Sequence, residues 1–157
     1  MKVANSFKVS HGKSRLERRL IMKAVTSNSI DIKVSSSDTD GKLAVLEVNG
    51  SPGGPPLHIH PFQDEVVYVL EGEFLWKVGT ERYYLKERET IFLPKGIPHG
   101  FRQLTEKGTL LLTYFPAGKI EEYFKITDAW TRTPSQEEII QAFERGEMKV
   151  VGPPLEE

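Results

Sequence analysis

The sequence predicts an all-β sandwich or barrel that is followed by a helical segment. Short runs rich in β-branched and aromatic residues succeed one another through the middle of the chain, and turn-forming clusters such as NGSPGGPP at 49–56 separate them. Closely spaced short strands of this kind are typical of sandwiches and barrels. A chain of 157 residues is most simply one domain, 1–157, with a barrel core at about 40–116 and a helical segment at about 118–146.

The predicted strands form a regular series in chain order. LAVLEV opens it, and the further members are LHIH, EVVYVLEG, EFLWKV, ERYYLK, TIFLP, GFRQL and TLLLTYFP. VGTE at 78–81 predicts a tight turn between Phe74–Lys77 and Arg82–Leu85, because Gly79 can take a positive φ angle. Upstream, IMKAVTSNSIDIKVSSS predicts two further strands around Ser27–Ser29.

One C-terminal helix is predicted by TPSQEEIIQAFERG. Thr133 suits the N-cap, Pro134 suits the first helical position, and Gln136 completes a capping box. Gly146 supplies a stop. The residues that share the apolar side of this helix are Ile139, Ile140 and Phe143.

A shorter helix is predicted around KIEEYF, with Ile120, Tyr123 and Phe124 on one side. We expect both helices to pack on the barrel or on a partner chain, and we assign no chemistry to them.

The strand EVVYVL is apolar on both faces, since Val66, Tyr68 and Leu70 alternate with Val67 and Val69. A strand of a barrel wall that has one solvent-exposed face alternates more regularly between apolar and polar residues. We therefore expect the outer face to be covered, either by the N-terminal strands and the C-terminal helix or by a second subunit. Of these, we favour a homodimer.

The composition excludes several classes of function. The 21 basic and 22 acidic residues nearly cancel, and the basic cluster KSRLERR at 13–19 is best explained as a solvated surface, so no nucleic-acid partner is expected. There are no cysteines, which excludes thiolate ligands and fits a reducing compartment. The polar N-terminus lacks the apolar stretch of a signal peptide, and apolar runs such as LLLTYF at 110–115 are too short to span a bilayer. We expect a soluble, cytoplasmic protein.

Histidines and one glutamate form the candidate site. Side chains two residues apart on a strand share a face, so His58 and His60 can converge on a single ion. The turn that follows Pro61 would let Glu65 return to the same ion, and His99 arrives after a Pro-Lys-Gly-Ile-Pro turn. The fourth histidine of the chain is His11, which lies in a polar stretch and is expected to be solvated.

This mixed nitrogen and oxygen donor set favours a divalent iron, manganese, nickel, cobalt, copper or zinc ion over calcium or magnesium. A His-x-His pair alone is a weak signal, and a structural or surface pair is the alternative. The accompanying Glu65 and His99 favour ligation.

The same residues resemble the two motifs of the cupin superfamily. The first has the pattern His-x-His, three or four residues, Glu, six residues, Gly, and the chain has His58, His60, Glu65 and Gly72 at that spacing. The second has Pro-x-Gly, two residues, His, and the chain has Pro94-Lys95-Gly96 followed by His99. Motif positions occupied here by other residue types are Pro52, Arg88 and Gln103, and none of these is a ligand position in the family.

The resemblance implies a double-stranded β-helix, or jelly-roll barrel, and a metal held by His58, His60, Glu65 and His99. Residues 53–124 are also similar to single-domain cupins grouped with quercetin 2,3-dioxygenase-like proteins. The function favoured on this basis is a metal-dependent dioxygenase acting on a small enolic or aromatic substrate, with Glu65 as catalytic base. The alternatives are a non-catalytic small-molecule-binding protein and a metal-dependent isomerase of sugars or keto acids, because cupins host unrelated functions.

The substrate pocket is expected to be mainly apolar, with a few polar groups. Extending the strand parity from His99 places Phe101 and Gln103 on the inward face, with Gln103 as the polar group that orients the substrate or caps a turn. Plain core packing is the alternative for each aromatic. The residues predicted to line the pocket are Val67, Phe74, Trp76, Phe92, Phe101, Gln103 and Tyr114.

Overall fold

Two antiparallel β-sheets and two helices make up the protein in its computed structural model, which describes residues 25–26 and 29–156. A 3-10 turn at Ser36–Asp38 follows the second strand. In chain order, the strands of the described residues are β1 (Val25–Thr26), β2 (Ile30–Val34), β3 (Ala44–Gly50), β4 (Pro56–Ile59), β5 (Asp64–Glu71), β6 (Phe74–Val78), β7 (Glu81–Leu85), β8 (Thr90–Leu93), β9 (His99–Gln103), β10 (Gly108–Phe115) and β11 (Lys149–Pro154). The helices α1 (Ile120–Asp128) and α2 (Gln136–Arg145) lie between β10 and β11.

The sheets have the strand order of a jelly roll. One runs β1-β2-β3-β10-β5-β8 and the other β11-β4-β9-β6-β7, with antiparallel pairing throughout. From β3 to β6 and from β7 to β10, each strand is followed by one in the other sheet, and the core lies between the two sheets. The predicted all-β jelly-roll fold with C-terminal helices is confirmed.

The core consists of the inward faces of the strands. On the six-stranded sheet, Leu112 pairs with Leu46 on one side and with Val67 on the other, and all three are buried. Each large apolar side chain buried in this way stabilises the fold by about 1.5–3 kcal/mol. The strict alternation in β10, where every second residue is buried, follows from the period of two in a strand.

The turn between β6 and β7 matches the prediction, since Gly79 has φ +58°. The predicted pair of strands around Ser27–Ser29 corresponds to β1 and β2, although residues 27–28 lie outside the described part of the chain. The sheets extend beyond the expected barrel core of 40–116, because β2 precedes it and β11 returns after the helices to pair with β4. As an edge strand, β11 tolerates its two prolines, which cannot donate to a ladder.

Helix α2 begins two residues later than predicted. Its N-cap is Ser135, not Thr133: the Ser135 hydroxyl accepts from the Glu138 backbone N–H, and the Glu138 carboxylate accepts from the Ser135 N–H at 2.7 Å. Arg132 also donates to that carboxylate at 2.6 Å. A charged carboxylate accepts stronger hydrogen bonds than the amide of Gln136, which explains the shift. The predicted stop at Gly146 is confirmed.

The two helices pack over one end of the barrel. Ile120 and Phe143 belong to the main hydrophobic core, and the Tyr123 ring lies 4.8 Å from that of Phe143. Within the described residues, neither helix has the length and apolar character that a bilayer crossing demands.

Candidate metal centre

Three buried histidines meet inside the barrel at the ends of two paired strands. His58 lies on β4 directly opposite His99 at the start of β9, and His60 follows β4 by one residue. The ligand nitrogens of the three rings lie within 4.8 Å of one another. Their exposed fractions are only 7%, 1% and 1% for His58, His60 and His99, so the cluster is shielded from solvent.

Glu65 approaches this cluster from the opposite sheet. It is the second residue of β5, and the turn after Pro61 carries the chain across to it. The Glu65 Oε2 atom lies 3.6 Å from Nε2 of His60 and 3.5 Å from Nε2 of His99. The structure thus brings together the four residues to which the sequence assigns a metal.

The Nδ1 atom of each histidine faces an oxygen. Nδ1 of His58 lies 2.8 Å from the Pro56 carbonyl oxygen, and Nδ1 of His99 lies 3.0 Å from the Ile97 carbonyl oxygen. Nδ1 of His60 lies 3.1 Å from the side-chain oxygen of Gln63. A carbonyl oxygen can only accept, so Nδ1 carries the hydrogen in each ring. The Nε2 atoms are left with lone pairs directed at one another and at Glu65.

Gln63 holds His60 in this tautomer and connects it to a distant part of the chain. The Gln63 amide donates to the Pro116 carbonyl at 3.0 Å and to the Ala117 carbonyl at 2.5 Å, so its oxygen faces Nδ1 of His60 as an acceptor. Gly118 permits this approach, because a Cβ atom there would lie 2.7 Å from the Gln63 nitrogen. The sequence predicted a turn after Pro61 but not this role of Gln63.

We predict that Gln63→Leu weakens metal binding by about 10–100-fold, the range typical for loss of a group that orients a histidine ligand. Gln103→Leu is the matched control, since Gln103 is equally buried at 2% but donates to the Thr105 carbonyl instead. A chelator competition titration on both variants, with circular dichroism as the folding check, measures the effect. Equal metal affinities in the two variants would refute the role of Gln63.

The residues fit a divalent metal ion. Among the buried side-chain atoms of residues 29–156, Nε2 of His60 and Nε2 of His99 have no hydrogen-bond partner. Metal–ligand bonds of about 2.1 Å allow ligand atoms up to about 4.2 Å apart, and the distances from both nitrogens to Glu65 fall within that limit. The imidazole nitrogens, which lie within 4.8 Å of one another, would need only a small movement of the rings to meet it. Lone pairs facing a carboxylate oxygen repel unless a cation or a proton lies between them.

The electrostatics of the cluster keep these side chains in forms that can bind a metal. Burial lowers the pKa of His58 well below its usual value, with a further lowering from His99 and His60, and burial also lowers the pKa of His60. Burial raises the pKa of Glu65, but the neighbouring His99 and His60 and the Tyr114 hydroxyl outweigh it, and the net pKa is lowered. At neutral pH, both imidazoles are neutral and the carboxylate is charged, as ligation requires.

Tyr114 supports Glu65 from β10. Burial and the negative charge of Glu65 raise the pKa of Tyr114 well above its usual value, so its hydroxyl stays protonated beside the Glu65 carboxylate. The Tyr114 ring also stacks on His60 at 5.5 Å.

Comparison with known proteins identifies the family. Residues 44–115 match the family model described as "Cupin domain". These residues form a cupin domain. They include the whole cluster of three histidines and Glu65, and both motifs on which the resemblance was based.

Individual cupins and related proteins resemble this chain more distantly. It is 25% identical over 96 residues to "Quercetin 2,3-dioxygenase" from Bacillus subtilis (strain 168), a match that spans 60% of this chain but only 28% of that protein. The structure of KdgF from Halomonas sp. superposes with a TM-score of 0.51 at 19% identity, covering 60% of this chain and 87% of that one. TT1209 from Thermus thermophilus has a TM-score of 0.50 at 26% identity, covering 67% and 97%.

The histidine cluster of this cupin opens into a cavity of about 270 Å³. Its walls are aromatic and aliphatic, and its polar groups are concentrated at the cluster. The residues that line it are Val48, Pro55, His58, His60, Glu65, Trp76, His99, Phe101, Leu110, Leu112, Tyr114, Tyr123, Phe124, Thr127, Trp130, Phe143 and Met148.

The predicted pocket residues divide between the cavity and other places. Trp76, Phe101 and Tyr114 line it. Val67 is fully buried in the core between the sheets. The remaining three predicted residues lie elsewhere: Phe74 and Gln103 at an adjoining pocket beside the 50–54 loop, and Phe92 on the outer surface.

Phe92 was predicted to line the pocket, but the alternation of side chains along its strand turns it outward. On β8 the buried residue is Leu93, so its neighbour Phe92 points outward and is 54% exposed, paired with Val66 of β5. Gln103 packs between Gly50 and Gly108, where any Cβ atom would lie 2.5 Å from its side chain. It caps a turn by donating to the Thr105 carbonyl, which was the alternative interpretation of this residue.

The helices contribute cavity residues that the sequence analysis missed. Tyr123 and Phe124 of α1 and Phe143 of α2 line the cavity, and the Phe143 ring lies 4.9 Å from that of His58. Their shared apolar faces were visible in the sequence, but the barrel opening on which they pack was not. This cupin therefore has a helical cap, formed by α1 and α2, over its candidate metal centre.

Proposed function

We propose that His58, His60, Glu65 and His99 bind one divalent transition metal ion, and that the protein is a dioxygenase-like oxidoreductase acting on a small enolic or aromatic substrate. One observation carries the proposal: partnerless imidazole nitrogens and a carboxylate converge at the end of an aromatic-walled cavity. The similarity to a quercetin 2,3-dioxygenase supports the reaction class. The donor set suits iron, manganese, nickel, cobalt, copper or zinc.

The protein residues have separate tasks in this reaction. A bound metal would supply Lewis acidity and positions for the substrate oxygen and for dioxygen. Glu65 takes the proton of the substrate hydroxyl, and the Tyr114 hydroxyl holds that carboxylate in place. The helical cap keeps bulk water away from the deprotonated substrate.

The cavity favours a small, flat and largely apolar molecule. Its volume of about 270 Å³ is just below the range of roughly 300–1,000 Å³ that is usual for ligand pockets. A sugar isomerase needs several polar side chains to read hydroxyl groups. Within the described residues, the lining of this cavity includes no lysine, arginine, asparagine or aspartate, which disfavours that alternative.

Oxygen uptake tests the proposal. The metal-free protein is reconstituted separately with each of the six candidate metals and supplied with flavonols, β-diketones and thiols in an oxygen electrode. We expect metal-dependent oxygen consumption with an enolic or phenolic substrate, lost on chelation and restored by the same metal. Tight binding of such molecules without oxygen uptake under any metal would instead establish a non-catalytic binding protein.

We also propose that the outer face of the six-stranded sheet forms a homodimer interface. Val66, Leu70, Phe92 and Phe115 leave apolar surface there, with Leu70 41% and Phe92 54% exposed. Apolar patches of this kind commonly mark interfaces between proteins. Sedimentation equilibrium should give twice the 17.8 kDa mass of the chain. A monomer at all concentrations would rule this interface out.

A further inference from the structure

Three buried side-chain atoms of residues 29–156 have no hydrogen-bond partner: Nε2 of His60, Nε2 of His99 and Nε1 of Trp76. All three residues line the same cavity. A metal ion accounts for the two imidazole nitrogens, because these present lone pairs. It cannot account for the indole nitrogen of Trp76, which carries a hydrogen and can only donate. An occupant of the cavity that satisfies this N–H brings a hydrogen-bond acceptor.

We propose that Trp76 donates its indole N–H to a second oxygen of the substrate, so that the site selects small enols or phenols that carry a further acceptor oxygen. The inference rests on the proposed function only for the first oxygen, which the metal centre binds. Trp76 thereby acts as a residue that positions the substrate and determines its class.

The register of the five-stranded sheet places Trp76 beside the candidate metal centre. Trp76 of β6 pairs with Phe101 of β9, whereas Val78 pairs with His99 two residues earlier on β9. Positions two residues apart on a strand share a face and have backbones about 7 Å apart. Trp76 and His99 are therefore near enough for one small molecule to contact both.

The indole of Trp76 is held in a fixed position. It is 1% exposed, and its ring lies 4.9 Å from that of Phe101 with the planes tilted by 38°. Three hydroxyl groups also line the cavity, those of Tyr114, Tyr123 and Thr127. Thr127 already donates to the Phe124 carbonyl at 3.2 Å, and Tyr114 faces the Glu65 carboxylate. Tyr123 belongs to α1 of the helical cap, whereas Trp76 belongs to the sheet that carries His58 and His99.

Two pairs of matched probes test the inference: 3- and 4-hydroxyacetophenone, which carry a second acceptor, and 3- and 4-ethylphenol, which lack it. Binding is measured by calorimetry on zinc-loaded protein. We expect at least one hydroxyacetophenone to bind about tenfold more tightly than its ethylphenol counterpart, as for a buried donor that is otherwise unpaired. Trp76→Phe should reduce that preference to about twofold, whereas Tyr84→Phe, which removes a donor from an exposed residue of β7 outside the cavity lining, should keep it.

An NMR measurement on the wild-type protein avoids dependence on the folding of the variant. The indole N–H resonance of Trp76, assigned by its absence from the spectrum of Trp76→Phe, should shift downfield with the hydroxyacetophenone and not with the ethylphenol. Three results would overturn the inference. The Trp76 resonance could stay unshifted, the preference could survive Trp76→Phe, or the wild type could show no preference, which includes no binding of any probe.

The same probes applied to chelator-treated protein separate this inference from the proposed function. If the protein takes up no metal but shows a Trp76-dependent preference, the metal-dependent reaction is contradicted and the role of Trp76 is retained. Full metal uptake without a Trp76-dependent preference overturns the role of Trp76 alone.

Discussion

His60→Ala is expected to abolish stoichiometric metal binding and to leave a folded β protein. His60 contributes a partnerless Nε2 atom that lies 3.6 Å from Glu65, and its ring is held by Gln63 and stacked on Tyr114. Its removal takes one ligand from the centre without altering a strand, because β4 ends at Ile59. Elemental analysis after dialysis against each metal, together with far-ultraviolet circular dichroism, measures both outcomes.

His11→Ala is the matched control for this variant. His11 is the fourth histidine of the chain and lies outside the described residues. We expect His11 to be solvated, so His11→Ala should leave the metal content unchanged. If His60→Ala retained the metal content of the wild type, the assignment of the centre would be wrong.

Glu65→Gln is expected to lower turnover by about 10²–10⁴-fold even when the metal site is fully loaded. The amide has nearly the shape of the carboxylate and still presents an acceptor oxygen. It has no negative charge and cannot take the substrate proton. Metal affinity also falls, so rates are compared at saturating metal, with occupancy confirmed by elemental analysis.

Glu71→Gln provides the control on the same strand, since Glu71 is exposed at the end of β5. Its turnover should equal that of the wild type. Turnover of fully loaded Glu65→Gln within about threefold of the control would show that Glu65 is not the base, because loss of general-base catalysis costs far more.

Local rules were sufficient to predict much of the fold and the composition of the candidate site. The period of two in a strand put His58 and His60 on one face, and the turn after Pro61 let Glu65 return toward them. The structure places these side chains together. The same alternation predicted the cavity position of Phe101. It failed for Phe92, because Phe92 belongs to another strand in which no residue was known to point inward.

Contacts between distant parts of the chain could not be predicted from local patterns. Gln63 reaches carbonyl groups 53 and 54 residues further along the sequence. The cavity position of Phe143 likewise depends on how α2 packs across the barrel end, and an apolar helix face does not specify its partner. The N-cap of α2 was displaced because Arg132 and Ser135 both favour the carboxylate of Glu138.

The hydrogen bonds of Gln63 connect the candidate metal centre to the helical cap, and we expect the two to be thermodynamically linked. The amide of Gln63 binds the backbone at Pro116 and Ala117, immediately before α1, while its oxygen orients His60. A substrate that shifts α1 therefore changes the affinity of the centre for its ion, and by reciprocity the ion changes the affinity for the substrate by the same factor. The loaded and empty forms of the protein should differ in how readily the cap opens.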